Sequence, residues 1–190
     1  MNSIRTFLAI PLPSELRDYL FQLKKPIQNK EDRINWTRSE NIHITLNFLG
    51  ETDSEHIKDQ ASGLAKLVAN YPTFEMGTMD TGVFPHANNP RVLWVSAAAY
   101  NTTLNDFKSD LNNHLKFIGY QLDKRKFQPH ITLGRVKSIS RKSSFIHDFL
   151  STDVREFNFN VDEIRWIKSE LTPSGAIYED LEIFKFNTGG

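Results

Sequence analysis

The chain has 190 residues, enough for one domain or two small lobes that share a core, and its 39% hydrophobic content is compatible with a folded interior. Basic and acidic residues each number 23, and this zero net charge argues against a protein that coats long nucleic acid. It permits a small anion, or the end of an RNA, in a local pocket. The absence of cysteine excludes disulfides, thiolate nucleophiles and cysteine-ligated zinc.

Strand-like and helix-like stretches alternate along the chain. Apolar patterning predicts strands over residues 5–10, 34–36, 42–49, 74–84, 92–98, 157–171 and 177–186. It predicts helices that start at 13 or 14 and end near 25, start at 53 or 54 and end near 68, and cover 102–118 and 145–150. Residues 172–175 predict a turn between the last two strands. No apolar run approaches the ~20 residues of a membrane span, and residues 1–13 lack a leader cleavage site, so we expect a soluble cytoplasmic protein.

The tetrad His-Ile-Thr-Leu occurs twice, beginning at His43 and at His130, 87 residues apart. Side chains of a strand alternate between its two faces. Each tetrad therefore predicts a strand with histidine and threonine on one face and two aliphatic side chains on the other. Around the first copy, alternation puts residues 42, 44, 46 and 48 on the apolar face and residues 43, 45 and 47 on the polar face.

The spacing of the tetrads, close to half the chain, indicates an internal duplication. We expect two similar α+β lobes that pack as one rigid body, each with one tetrad strand. If those strands lie side by side, the imidazoles of His43 and His130 and the hydroxyls of Thr45 and Thr132 converge on one small volume.

Two imidazoles and two hydroxyls suit the cleavage of a phosphodiester without a metal. Histidine can both accept and donate a proton near neutral pH, because its ordinary pKa lies near 6.5. Attack and departure at phosphorus are roughly in line, so acid and base must flank it, as a pseudo-twofold site would allow. Thr45 and Thr132 could donate hydrogen bonds to the non-bridging oxygens.

Simpler interpretations apply to single features of this pattern. A lone histidine on a strand is usually a solvated or hydrogen-bonded side chain, and it is the duplication of the whole tetrad that favours function. The remaining histidines lack that duplication and are interpreted as structural or solvated; they are His56, His86, His114 and His147. Motifs for zinc sites, Walker loops, dinucleotide binding and nucleophile elbows are absent, and two histidines with threonines form a poor zinc set.

Three further features are left open by the sequence. Phe48 and Arg135 each stand five residues after a tetrad histidine, where Arg135 could contact phosphate and Phe48 could stack on a base. Strict alternation puts both on the opposite face from the histidines, so this role requires each strand to end or bulge near Asn47 and Gly134. Otherwise Phe48 lies in the core and Arg135 on the surface. Residues 124–126 (Lys-Arg-Lys) fit a solvated turn, or a patch that steers phosphate towards His130.

Paired His-x-Thr-x motifs half a chain apart resemble the signature of the two-histidine phosphoesterases, and within them the RNA 2′,3′-cyclic phosphodiesterases of the LigT type. The likeness runs nearly end to end. It is carried by residues 5–13, Trp36, residues 41–50, 91–95, 129–135 and 169–175, and Tyr178.

The resemblance implies a bilobal α+β fold formed by residues 1–190 as a single domain, with two antiparallel sheets facing across a cleft and helices outside. It implies metal-independent opening of a 2′,3′-cyclic phosphate, on RNA ends or nucleosides, to a 2′-phosphomonoester. By position, His43 is the proton donor and His130 the proton acceptor, and a pseudo-symmetric site does not by itself dictate that division. Substrate binding falls to Thr45, Thr132, Arg135 and Phe48. We expect no cofactor, no metal, no membrane, no obligate protein partner and a monomer.

Two alternatives from other classes stay open at this point. One is an RNA 2′–5′ ligase or 2′–5′ phosphodiesterase, which would use the same in-line geometry on larger RNA. The other is a non-catalytic module that binds RNA ends. Two intact tetrads argue against the module, because binding alone needs no paired acid and base.

Overall fold

The computed structural model describes residues 3–24, 32–140, 142–173 and 175–189. Over these residues the strands are β1 (Ser3–Pro11), β2 (Arg33–Trp36), β3 (His43–Asp53), β4 (Phe74–Phe84), β5 (Val92–Ala99), β6 (His130–Ser138), β7 (Asn158–Val161), β8 (Glu163–Thr172) and β9 (Gly175–Lys185). The α-helices are α1 (Ser14–Gln22), α2 (Ile57–Ala69), α3 (Thr103–Phe117) and α4 (Phe145–Leu150). Single 3₁₀ turns cover Ser39–Asn41 and Ser54–His56.

The strands form one curled antiparallel sheet in the order β7-β4-β5-β6-β3-β1-β8-β9, with β2 also paired to β6. Its two halves, β6-β5-β4-β7 and β3-β1-β8-β9, meet where Ile44 pairs with Ile131. The two sheets expected from the sequence are therefore the halves of a continuous sheet. Outwards from this junction, each half starts with a tetrad strand, which confirms the bilobal α+β arrangement.

The prediction of one continuous strand over residues 157–171 is wrong. The segment forms two strands, and Asp162 stands between them. β7 pairs with β4 in one lobe and β8 pairs with β1 in the other, so the chain crosses between lobes at this residue. No glycine or proline marks the crossing in the sequence, and the residue at the crossing, Asp162, is exposed.

The helices cover one face of the sheet and enclose the main core. Leu64 of α2 and Leu111 of α3 are completely buried, in the same cluster as Ile44 and Ile131 of the tetrads. Each such burial contributes roughly 1.5–3 kcal/mol relative to an exposed side chain. The tetrad aliphatics thus anchor both strands to the helices, and the tetrad histidines and threonines point to the other face of the sheet.

Most predicted boundaries agree with the structure to within a few residues. Helix α1 ends at Gln22, and the predicted end near Lys25 and Pro26 lies outside the described residues. Of the predicted turn at 172–175, Thr172 and Gly175 pair as the ends of β8 and β9, and Ser174 is outside the described residues. Among the described helices, none is both long and apolar enough to cross a membrane.

Candidate active site

Strand β3 does not alternate regularly after its tetrad. Its pairing with β1 passes from Thr45 opposite Ala9 to Asn47 opposite Leu8, which leaves Leu46 as an extra residue in a β-bulge. The bulge turns Asn47 into the buried side, where its amide donates to Asn112 at 3.0 Å. The prediction that Asn47 shares the polar face with the histidine is therefore wrong, and so is the prediction that residue 48 lies on the apolar face: Phe48 is 54% exposed.

Strand β6 has a bulge at the matching position. Its pairing with β5 passes from Thr132 opposite Trp94 to Gly134 opposite Leu93, skipping Leu133. Leu133 and Gly134 are both buried, and the next residue, Arg135, is exposed. Both strands thus contain the bulge that Phe48 and Arg135 need in order to face the site. In β6 this bulge places Arg135 on the same face as His130.

The junction between the lobes fixes how the tetrads face each other. Ile44 lies opposite Ile131 in an antiparallel pair. Extending that register by one residue sets His43 across from Thr132, and the other histidine across from the other threonine. Because the same offset of 87 residues relates the two tetrads, a local twofold axis passes between the paired isoleucines. Both imidazoles and both hydroxyls therefore stand on one face of adjacent strands.

Both imidazoles are held through the same nitrogen. Nδ1 of His43 lies 2.8 Å from the carbonyl oxygen of Asn41, and Nδ1 of His130 lies 2.7 Å from that of Gln128. A carbonyl oxygen only accepts, so Nδ1 carries the proton in each ring. In the neutral form Nε2 is then left as the acceptor, and the Thr45 hydroxyl lies 3.0 Å from Nε2 of His43. Both histidines are oriented to exchange protons through Nε2.

The imidazole of His43 packs against aromatic rings from two other strands, β1 and β9. The Phe7 ring stacks on it with centroids 4.9 Å apart, and Tyr178 meets it edge-on at 5.5 Å. Burial lowers the pKa of His43 to about 4; the bond to the Asn41 carbonyl acts in the opposite direction, and the charge of His130 lowers the pKa further. His43 is therefore neutral at pH 7 in the free protein.

His130 is surrounded in the same way but is less enclosed. Phe84 meets its ring edge-on at 5.0 Å, and Trp94 lies at 6.3 Å. Burial lowers the pKa of His130, the Gln128 carbonyl opposes that shift, and the Arg135 guanidinium adds to it. The two rings thus have similar surroundings but unequal burial.

Arg135 and Phe48 border the site from opposite lobes. The positive charge of Arg135 lowers the pKa of His130 and also acts on the Tyr178 hydroxyl, whose pKa burial raises overall. Since Tyr178 packs on His43, the field of Arg135 reaches both sides of the junction. Phe48 lies with its ring centroid 6.2 Å from that of Phe7.

Several residues at the site were not singled out from the sequence for any role. The ring contacts come from β1, β4, β5 and β9, and the carbonyl acceptors stand two residues before each histidine. The family resemblance includes four of them, in residues 5–13, 41–50 and 91–95 and at Tyr178, without a role for any. No sequence feature points to Phe84 or Gln128. The residues are Phe7, Asn41, Phe84, Trp94, Gln128 and Tyr178.

The other candidates lie apart from this site. Arg125 is exposed and pairs with Asp123, which fits the solvated-turn interpretation of residues 124–126. His114 is partly buried, and its Nε2 is buried without a hydrogen bond among the described residues. His56 pairs with Asp53 on the surface. Within the described part of the chain, no cluster of three or more His, Asp or Glu side chains could hold a metal ion.

Comparison with known proteins supports the assignment made from the tetrads. A family model described as "LigT like Phosphoesterase" matches the chain twice, over residues 10–94 and 95–178. The chain is 32% identical over 187 residues to an RNA 2′,3′-cyclic phosphodiesterase of Thermotoga maritima, covering 98% of this chain and 97% of that protein. It is 33% identical over 179 residues to one from Methanocaldococcus jannaschii, covering 93% and 97%. Among solved structures, TT0787 of Thermus thermophilus matches 98% of this chain and 100% of its own, with a TM-score of 0.77 and 25% identity. The chain therefore belongs to the LigT-like phosphoesterases, within the two-histidine superfamily that its paired tetrads resemble.

Proposed function

We propose that this protein hydrolyses the 2′,3′-cyclic phosphate of RNA ends or nucleosides to a 2′-phosphomonoester, with two histidines and no metal, and that both lobes act as one domain. The observation that carries the proposal is the pair of imidazoles anchored through Nδ1 on matching carbonyls about a local twofold axis. Relatives that are named RNA 2′,3′-cyclic phosphodiesterases and align over nearly the whole chain support the choice of substrate.

In the proposed reaction a water oxygen attacks the phosphorus while Nε2 of His130 takes the water proton. The bond between phosphorus and the 3′ oxygen breaks, and that oxygen receives the proton from Nε2 of His43. The products are a 2′-phosphomonoester and a free 3′ hydroxyl, so atoms and charge balance. Each proton transfer is worth about 10²–10⁴-fold in rate.

The hydroxyls of Thr45 and Thr132 would hold the two non-bridging oxygens. Thr45 already lies within hydrogen-bond distance of Nε2 of His43, so it can exchange that bond for one to phosphate. Such donors act most strongly where water is excluded, and the aromatic rings around each imidazole provide that surrounding. Arg135 would add a charged donor to phosphate or base, and Phe48 would offer a stacking surface.

The low pKa of His43 has to be reconciled with its role as the acid. A bound phosphodiester brings a negative charge between the rings, which favours the imidazolium form and raises the pKa of both histidines. Substrate binding itself would thus place the proton that the leaving oxygen needs.

The test is a product-resolved assay of a nucleoside 2′,3′-cyclic phosphate with EDTA present. We expect undiminished turnover and only the 2′-phosphate. Loss of activity with EDTA, or a 3′-phosphate product, would overturn the mechanism. Tight binding without turnover, equal in the chain and in a double His43→Ala, His130→Ala variant, would instead favour a non-catalytic module.

A further inference from the structure

A groove lies along strand β2 and the end of strand β6. It has a volume of about 580 Å³ and is lined on one side by Arg33, Asn35 and Lys137, and on the other by Thr172 and Pro173. The first side belongs to the lobe of His130, and the second is the end of β8 in the lobe of His43. Like the site, the groove is formed by both lobes.

The register of β2 on β6 places Arg135 of the site beside this groove. Asn35 lies directly opposite Arg135, so the two side chains share a face. Lys137 follows Arg135 by two residues and is the extra residue of a bulge between Val136 and Ser138. It is exposed and lines the groove together with Asn35. The bulge at Leu133 is what turns this face towards His130. One surface therefore runs from the imidazole through Arg135 to the groove.

The groove is positively charged, although the chain as a whole is neutral. Arg33, Arg135 and Lys137 are all exposed, and none of them takes part in an ion pair with the described carboxylates. The acidic residue of the groove, Asp32, is only 9% exposed. It accepts hydrogen bonds from the backbone of Ser140 at 3.1 Å and from the hydroxyl of Ser143 at 2.6 Å. Its carboxylate is thus engaged in the fold, and the cations face solvent.

We propose that this groove binds the phosphodiester backbone of the nucleotides that precede the cyclic end, with Arg33 and Lys137 each contacting one phosphate. The inference rests on the proposed function. A 2′,3′-cyclic phosphate stands at the 3′ end of a chain, so every preceding nucleotide leaves the site through its 5′ oxygen and brings one negative charge per step. The cations along β6 and β2 match that series of charges. An oligonucleotide with a cyclic end, rather than a mononucleotide, is then the substrate this surface fits.

The experiment compares a nucleoside 2′,3′-cyclic phosphate with a trinucleotide that ends in one. The variants are a double Arg33→Gln, Lys137→Gln chain and, as a matched control, Lys66→Gln on the exposed side of α2. We expect the double variant to lose roughly tenfold in kcat/KM on the trinucleotide and to keep its rate on the nucleoside. The dependence of log affinity on log salt should weaken by about 1.4, since each phosphate contact on a single strand contributes about 0.7.

Equal rates of the double variant and the unaltered chain on the trinucleotide would overturn the proposal that the groove binds backbone phosphates. An equal loss of rate on both substrates would overturn it as well. If the unaltered chain hydrolyses neither substrate, the proposed function is wrong instead. In that case, anisotropy with a labelled trinucleotide 2′-phosphate still decides about the groove. Weaker binding by the double variant but not by Lys66→Gln supports it, and equal binding overturns it.

Discussion

Asn41 and His43 are linked twice, by a direct hydrogen bond and through strand β9. The backbone carbonyl of Asn41 accepts the Nδ1 proton of His43 at 2.8 Å, while the Asn41 side-chain amide donates to the carbonyl of Ala176 at 2.8 Å. Ala176 lies at the start of β9, two residues before Tyr178, whose ring packs on His43. One asparagine thus sets both the proton position on the imidazole and the placement of an aromatic neighbour.

Replacing Asn41 should therefore impair turnover more than substrate affinity. Asn41→Ala removes the donor to Ala176, and Asn41→Asp puts a carboxylate against that carbonyl. Both leave the backbone acceptor in place but free it to shift. We expect kcat to fall by roughly 10–100-fold with KM little changed, because small misplacements of a reacting group are costly. Steady-state kinetics of both variants, with the exposed loop variant Asn89→Ala as control, check this; a change confined to KM would contradict it.

The assignment of acid and base can be tested with the leaving group. A cyclic substrate with sulfur in place of the 3′ oxygen needs no proton on departure. His43→Ala should then lose far less rate on the sulfur substrate than on the oxygen substrate, while His130→Ala should be equally impaired on both. The reverse pattern would exchange the two roles.

The pH dependence should differ between the free protein and the complex. One imidazole of the pair must be protonated and the other neutral, and burial holds the pKa of both below 6.5 in the free protein. The singly protonated form is therefore depleted as pH rises, so kcat/KM should fall by up to about tenfold per unit between pH 6.5 and 8. Bound phosphate raises both pKa values, and the basic limb of kcat should appear at higher pH. Identical profiles for kcat and kcat/KM would refute this effect of the substrate.

Burial of His43 should also make the stability of the fold depend on pH. The pKa of His43 is about 4 in the folded chain and about 6.5 in an unfolded chain. Between these pH values the unfolded chain therefore binds a proton at this histidine and the folded chain does not. The contribution of neutral His43 to the free energy of unfolding is therefore complete above pH 6.5 and is lost as the pH falls towards 4. Between pH 7.5 and 5 the loss is about 2 kcal/mol.

Urea unfolding at both pH values measures that loss. His43→Gln should reduce the difference between pH 7.5 and 5 by about that amount, whereas His86→Gln, in an exposed loop, should leave it unchanged. If both variants keep the full pH dependence of the unaltered chain, His43 does not cause it.

The tetrads were predictable because they carry two kinds of information at once. Ile44 and Ile131 follow the period of a strand and bury completely, and the duplication of the histidine and threonine made a chance arrangement improbable. Phe48 and Arg135 could not be placed in the same way. Their orientation depends on the position of the β-bulge in β3 and in β6. That position is set by the pairing of these strands with β1 and β5, not by the local sequence pattern.

The surroundings of the imidazoles were beyond local sequence reasoning for the same reason. Phe7 lies in an apolar run that is buried on both faces, so nothing in the run tells which face a given ring occupies. Tyr178 reaches His43 only because β8 and β9 cross into the first lobe after Asp162. A contact between residues so far apart in sequence depends on that topology.

The most direct test of paired imidazoles acting on one phosphorus is a double-mutant cycle carried out in ¹⁸O-labelled water. If His43 and His130 serve one in-line displacement, each single alanine variant should lose about 10²–10⁴-fold in rate, and the double variant should lose little more than either one. The remaining product should be a 2′-phosphate with one labelled oxygen. Losses that multiply in the double variant, a single variant with full activity, or label outside the phosphate would contradict the account.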